Sequence, residues 1–199
     1  VRKTLKKATK IITIIINMLS NTDILSAITN SELTITPFKP QMIRGCSITL
    51  HLGPLLLQPI PGKVADPREH TVPEYTSINI SRTHPFELAP GGFLLGHTLQ
   101  KVTVGPTLGF LIEGRSTLAR LGLTIVQTAM IVYPGHRDRA VTLELANHGP
   151  NIIRLYAEMK IARVALFRFP TPSSLTYDED GKYRDQSQVG PPIFENEFF

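Results

Sequence analysis

Gly114-Arg115-Ser116-Thr117-Leu118-Ala119-Arg120-Leu121-Gly122 decides how the rest of the chain is read. The stretch brings two guanidiniums and two hydroxyls to a sharp turn that opens a short helix. Glycine at 114 lets the backbone turn, and serine at 116 is a favoured helix N-cap. Arg120 follows Ser116 by four residues, which puts both side chains on one helical face. Free N–H groups and partial positive charge at a helix N-terminus suit a phosphate, and arginine adds a planar fork matched to its oxygens. A surface turn carrying two solvated arginines satisfies the same spacing, so spacing alone leaves both readings open.

Outward from this turn the pattern is β. Ser47 to Leu52 alternates around Ile48, Leu50 and Leu52, and Leu55 to Leu57 continues the apolar stretch. Further strands are predicted over Thr76–Ile80, Phe93–Leu99, Gly109–Glu113, Leu123–Thr128, Ala140–Ala146 and Met159–Phe169. Ser20-Asn21-Thr22-Asp23, ahead of Ile24 and Leu25, predicts a capping box and a short helix to about Thr29. Many short strands with one or two short helices predict a mainly β domain, a distorted jelly-roll or barrel. From Pro170 onward proline, serine, glycine and charged residues take over, which reads as a mobile tail.

A chain of 199 residues suffices for one domain with a real core and is short for two. Its 14 glycines and 16 prolines supply the turns a β-rich fold needs. The single cysteine, Cys46, excludes an internal disulfide framework and fits a reducing compartment, here the cytoplasm. It is expected beside a strand as a small buried hydrophobe.

The net charge of +5 sits in Arg2, Lys3, Lys6, Lys7 and Lys10, ahead of the first acid, Asp23. Without those five the positive and negative side chains balance, so the body presents no nucleic-acid footprint. The run Ile11-Ile12-Thr13-Ile14-Ile15-Ile16 is too short to span a bilayer. Residues 1–17 read as an extension: an added helix, an interface strand or an organellar targeting peptide. The domain proper is expected over 18–170, followed by a lid or tail over 171–199.

Alternation across Ala140 to Ala146 puts Val141, Leu143 and Leu145 on one face and Thr142, Glu144 and Ala146 on the other. Glu144 is therefore either a solvated strand residue or a carboxylate with room for a ligand beside it. A carboxylate so placed can activate a water and shuttle its proton. The zinc hydrolase signature H-x-E…P-C-x-x-C is lacking in a chain with one cysteine, so no zinc is expected. His51, His70, His84, His97, His136 and His148 are scattered without metal-ligand spacing. His136 reads as structural or solvent-facing, and Arg137 and Arg139 as exposed charges within reach of a phosphate.

Residues 114–122 resemble the GRSSLAR motif of the dCTP deaminases, relatives of the trimeric dUTPases. Ser47-Ile48-Thr49-Leu50-His51-Leu52-Gly53 resembles that family's SxDLRLG strand. Gln127-Thr128-Ala129 with Pro134-Gly135 resembles its central hairpin, and Thr142-Leu143-Glu144-Leu145 its TLEL strand. Gly181-Lys182-Tyr183 with Gln186 resembles its C-terminal lid, so the likeness extends over about residues 18–192.

The resemblance implies a dUTPase-like fold, a homotrimer with sites at subunit interfaces, and hydrolysis of dCTP to dUTP and ammonia, feeding thymidylate synthesis. Glu144 would shuttle protons, Ser116 and Arg120 would hydrogen-bond the reacting centre, and the Ala129 carbonyl would position the water or leaving amine. Arg115, Thr117, Lys182, Gln186 and Tyr177 would grip the triphosphate. Gln127, Thr128 and Tyr133 would line the substrate pocket. Mg²⁺ would arrive on the triphosphate, and dTTP would inhibit.

The chain departs from the family at several places. Val132-Tyr133-Pro134-Gly135-His136 stands where Ile-Asp-Pro-Gly-aromatic is usual, and the hairpin is one residue longer before Glu144. Val126 replaces a common histidine and Thr49 an aspartate. The usual hairpin aspartate helps hold the sugar and, in relatives that hydrolyse dUTP, the attacking water. Tyr133 cannot be a carboxylate base near neutral pH. A dUTP pyrophosphatase, a bifunctional deaminase/dUTPase and a non-catalytic nucleotide-binding relative are therefore the alternatives.

Overall fold

The computed structural model describes residues 17–195 and 197. The alternative readings of the 1–17 extension fall outside them except at Asn17, which pairs with Arg168. The chain runs through β1 (Asn17–Met18), α1 (Asn21–Thr29), β2 (Leu33–Thr36), β3 (Ile43–Arg44), β4 (Ser47–His51), β5 (Leu55–Pro59) and β6 (Tyr75–Asn79). It continues through β7 (Phe86–Leu88), β8 (Phe93–Val104), β9 (Leu108–Gly114), α2 (Ser116–Ala119), β10 (Leu123–Thr124) and β11 (Ile131–Val132). β12 (Arg139–Asn147), β13 (Ile153–Leu155), β14 (Lys160–Arg168) and α3 (Tyr177–Asp180) complete it.

Two antiparallel sheets face each other. One is ordered β11-β9-β14-β4-β3 with β1 against β14, and the other β10-β12-β8-β5-β6 with β2 against β8. Ile48, Leu50, Phe110, Val164 and Leu166 from the first meet Leu56, Leu94, Leu143 and Leu145 from the second in one buried cluster. The architecture is the expected mainly β jelly-roll type, open rather than closed into a barrel. The edge strands β3, β10 and β11 are two residues each, too short to close a ladder.

The α1 cap is as expected. Ser20 accepts from the Asp23 N–H while Asp23 accepts from the Ser20 N–H at 2.9 Å. β12 alternates with Val141, Leu143 and Leu145 buried and Thr142 and Glu144 half-exposed. Opposite Val141, Thr98 to Gln100 of β8 step out of register. The fully buried Thr98 hydroxyl stitches this irregularity, accepting from the Val141 N–H at 2.9 Å and donating to the Gln100 carbonyl at 2.7 Å.

Several expectations are corrected. Cys46 is exposed, because it sits with Gly45 in the two-residue turn between the paired Arg44 and Ser47. Arg115, not Ser116, is the N-cap of α2, and it makes no side-chain cap bond. The glycine that needs a positive φ is Gly122 (φ +91°), which ends the turn, not Gly114, the last residue of β9. A third helix, α3, forms in the segment expected to be a mobile tail. Its capping box pairs Thr176 with Glu179, as Ser20 pairs with Asp23. Among the described residues no helix is long and apolar enough to cross a membrane.

Gly122 also packs directly on backbone: a Cβ there would lie 2.2 Å from the Gly149 nitrogen and 2.5 Å from its Cα. Main chain cannot rotate away as a side chain can. Gly122→Ala is expected to cost roughly 2–4 kcal/mol, from positive-φ strain plus overpacking. Thermal unfolding would read that as a fall in Tm of roughly 5–15 °C. An unchanged Tm would mean the 121–122/148–149 contact is not tight.

Candidate active site

Glu144 lies in β12 where β10 has just left the sheet. Leu123 and Thr124 pair with Asn147 and Ala146, after which the backbone bends and the Ile125 carbonyl accepts from the Glu144 N–H at 3.0 Å. This is why the strand expected over Leu123–Thr128 stops at Thr124. The Gln127 N–H then donates to Glu144 Oε2 at 3.0 Å, and Gln127 Nε2 donates back to the Glu144 carbonyl at 3.3 Å and to Thr124 Oγ1 at 3.1 Å. The carboxylate is thus held by one oxygen at the mouth of a pocket. No protein group among the described residues donates to the nearby Ala129 carbonyl.

That pocket is a cavity of about 470 Å³. Its wall includes Glu144, Ala129, Thr142 and Tyr133 from the sheet and hairpin, and Tyr177, Tyr183 and Gln186 from the C-terminal segment. A second cavity of about 780 Å³ shares Tyr133, Tyr177 and Tyr183 with it and is lined on its far side by Lys182 and residues 171–176. Lys182 forms an ion pair with Glu197.

The C-terminal segment is docked rather than loose. The Tyr177 N–H donates to the Pro134 carbonyl at 2.8 Å. Gly135, with φ +79°, lets that hairpin approach so closely that a Cβ would lie 2.5 Å from Thr176 Cβ. Asp178 is gripped by Arg139 Nη2 at 2.6 Å and Arg137 Nε at 3.1 Å. The hydrogen bond from Arg139 is the main reason the Asp178 carboxyl is held below the usual carboxylate range, and the charge of Arg137 adds to it. Farther along, buried Val189 packs on Leu57 and Leu95.

His136 is buried, as the structural reading expected. Its Nδ1 sits 3.0 Å from the Val102 carbonyl, and its ring lies 6.1 Å from that of Phe110 and 5.7 Å from that of Tyr177. Burial pushes its pKa down, outweighing the Val102 hydrogen bond that favours the charged form. Arg139 is not an exposed charge: its side chain is 15% exposed, and its Cζ lies 5.9 Å from the Tyr177 ring centroid.

The structure therefore brings together Glu144, Ala129, Tyr133, Tyr177 and Gln186 around one cavity, with Gln127 holding Glu144. It does not bring the α2 residues there. Ser116, Thr117 and Arg120 are exposed and line neither cavity. Arg115 is half-buried, with its Nε enclosed and without a hydrogen-bond partner. Thr128 is exposed beside the hairpin. The sequence reading did not place Arg139 in the pocket wall or pair it with Asp178. Their link spans 39 positions and carries no short-range signal.

Fold and pocket together define a two-sheet β domain whose cavity is walled in part by its own C-terminal segment. The family model described as dCTP deaminase-like matches residues 18–169, and the chain belongs to that family. It is 34% identical over 179 residues to a protein of Corynebacterium kroppenstedtii named dCTP deaminase, dUMP-forming, covering 87% of this chain and 94% of that one. A protein of the same name from Corynebacterium jeikeium is 36% identical over 179 residues, with the same coverage. One from Methanoregula boonei is 34% identical over 167 residues, 81% of this chain and 88% of that one. Among solved structures, a 2′-deoxycytidine 5′-triphosphate deaminase from Agrobacterium tumefaciens superposes with a TM-score of 0.59 at 11% identity. That match covers 77% of this chain and 48% of the other, so the chain spans about half its length.

Proposed function

We propose that the chain is a hydrolase that removes the 4-amino group of dCTP and carries the product on to dUMP. The observation that carries the reading is Glu144, a carboxylate fixed by the Gln127 N–H, with one oxygen left toward a nucleotide-sized cavity that also contains Ala129. Glu144 takes a proton from a water as its oxygen bonds C4, and a proton passes to ring N3. Collapse of the tetrahedral carbon breaks the C4–N bond, and the amine leaves as ammonia with the shuttled proton. One water is consumed and the cytosine becomes uracil. A second water then breaks the bond between the α-phosphorus and its bridging oxygen, giving dUMP and pyrophosphate.

The names of the relatives are what move the expected end product from dUTP to dUMP. A specific observation supports the second reading, that reaction stops at dUTP. Tyr133 stands at the hairpin position where a carboxylate is usual, and Glu144 is the one carboxylate among the lining residues of the 470 Å³ cavity. Chromatography of dCTP incubations over time tests both. Pyrophosphate and dUMP rising without free dUTP support the first reading. Accumulating dUTP supports the second, and unchanged dCTP overturns both.

The exposed α2 residues support a site shared between copies of the chain, as in a homotrimer. Ser116 and Arg120 of one copy would close on the Glu144 cavity of the next and stabilise charge at C4. Arg115 and Thr117 would take phosphate oxygens there. Residues 171–195 act as the lid, with Tyr177 and Gln186 on the Glu144 cavity and Lys182 on the adjoining 780 Å³ one.

Among the described residues no three His, Cys, Asp or Glu side chains converge to hold a metal ion. The one carboxylate that lines the cavity, Glu144, is already engaged by Gln127. This fits a Mg²⁺ that arrives on the triphosphate and keeps phosphate oxygens and water as ligands, where it would neutralise phosphate charge.

A further inference from the structure

We propose that Arg139 binds the phosphate chain of the nucleotide in the Glu144 cavity, through the guanidinium arm that the protein leaves without an acceptor. The proposal rests on the nucleotide reading above and adds a residue to it. Arg139 has three donor sites. Nη2 is taken by Asp178 at 2.6 Å, and Nε donates to the Arg184 carbonyl. Nη1 is enclosed and has no partner. A buried donor without an acceptor is costly, and of the three it is the one whose need a ligand would meet.

Charge points the same way. Arg137, Arg139 and Asp178 together retain one positive charge, with Asp178 already shared between the two guanidiniums. A third, anionic oxygen completes the cluster, and a planar guanidinium is shaped for phosphate. Position selects the phosphates over the base. Arg139 precedes Glu144 by five strand residues, roughly 15 Å of backbone. If C4 of the ring reacts at Glu144, the Arg139 end of the cavity faces the other end of the nucleotide. Tyr177 lies at that end, its ring centroid 5.9 Å from Arg139 Cζ, and Tyr183 and Gln186 line the same cavity. Asp178 and the Arg184 carbonyl hold the guanidinium by two arms, so docking of the C-terminal segment and orientation of Nη1 are one event.

The test compares binding of deoxycytidine, dCMP, dCDP and dCTP by titration calorimetry on the full chain, with Glu144→Gln in both arms so that substrate persists. Arg139→Gln is expected to weaken dCTP roughly ten- to hundredfold while leaving deoxycytidine unchanged. Arg139→Lys, which keeps the charge if the glutamine variant fails to fold, should show the same selective loss at smaller size. Arg154→Gln, whose side chain is 63% exposed and pairs with Glu87 away from the cavity, should change dCTP binding by less than about threefold. Equal losses for deoxycytidine and dCTP would mean that Arg139 only fastens the tail, and would overturn the proposal. So would unchanged dCTP binding in both Arg139 variants. A parent protein that binds none of the four ligands would instead overturn the functional reading, and this proposal with it.

Discussion

Glu144→Gln is expected to lower dCTP turnover by roughly 10²–10⁴-fold, the usual contribution of a positioned general acid–base. The substitution keeps the shape of the side chain. The amide oxygen can still accept from the Gln127 N–H, now 3.0 Å from Oε2, and the Gln127 side chain still reaches the Glu144 carbonyl. Leu143 and Leu145, fully buried on the opposite face of β12, are untouched. Thermal stability should therefore stay within about 0.5 kcal/mol of the parent, and dCTP affinity should stay close to it. The loss should fall on kcat, because an amide cannot carry the proton between water, N3 and the leaving amine. Single-turnover rates with calorimetric affinities separate the two effects. A variant that turns over normally would remove Glu144 from the mechanism, and one that loses only affinity would make it a binding group.

The frame of the fold was legible because its signals are local. The Ser20–Asp23 box needs four residues, and the 141–145 alternation needs five. The failures around the cavity share a cause, namely partners distant in sequence. Residues 170–190 have the composition of a loose tail, and alone they would be one. They are ordered by Asp178 meeting Arg137 and Arg139, and by Val189 meeting Leu57 and Leu95. The same long-range pairing converts Arg139 from an apparent surface charge into a pocket wall. Cys46 was misread for a local reason: it does lie beside β4, but the Arg44–Ser47 pairing makes it an exposed turn residue rather than a buried one. Tyr133 shows the limit of motif reading. Its identity removes a carboxylate, yet only the structure places it on the shared rim of two cavities. The product was not legible, since the hairpin position that carries the water-holding aspartate in dUTP-hydrolysing relatives is Tyr133 here.

Mixing two inactive variants is expected to restore activity. Arg120→Ala should lose roughly 10²–10³-fold, as when one donor to a developing charge is removed, and it should fold normally because Arg120 is exposed. Glu144→Gln is inactive for a different reason. In one chain Arg120 lines neither cavity, so a working site would need Glu144 from one copy and Arg120 from its neighbour. When equal amounts of the two variants exchange subunits at random, a site is complete when an Arg120→Ala copy supplies Glu144 and a Glu144→Gln copy supplies Arg120. Each condition holds half the time, so about one quarter of the sites should be intact. Measured turnover per site should rise from near zero to about a quarter of the parent value after mild denaturant and dilution, and stay near zero without that exchange step. A site built within one chain gives a different result. No mixture of copies could then combine an intact Arg120 with an intact Glu144, and activity would not recover however long the subunits exchanged. The same experiment reads the assembly as well as the chemistry, since recovery requires at least two copies in contact through the face that carries α2.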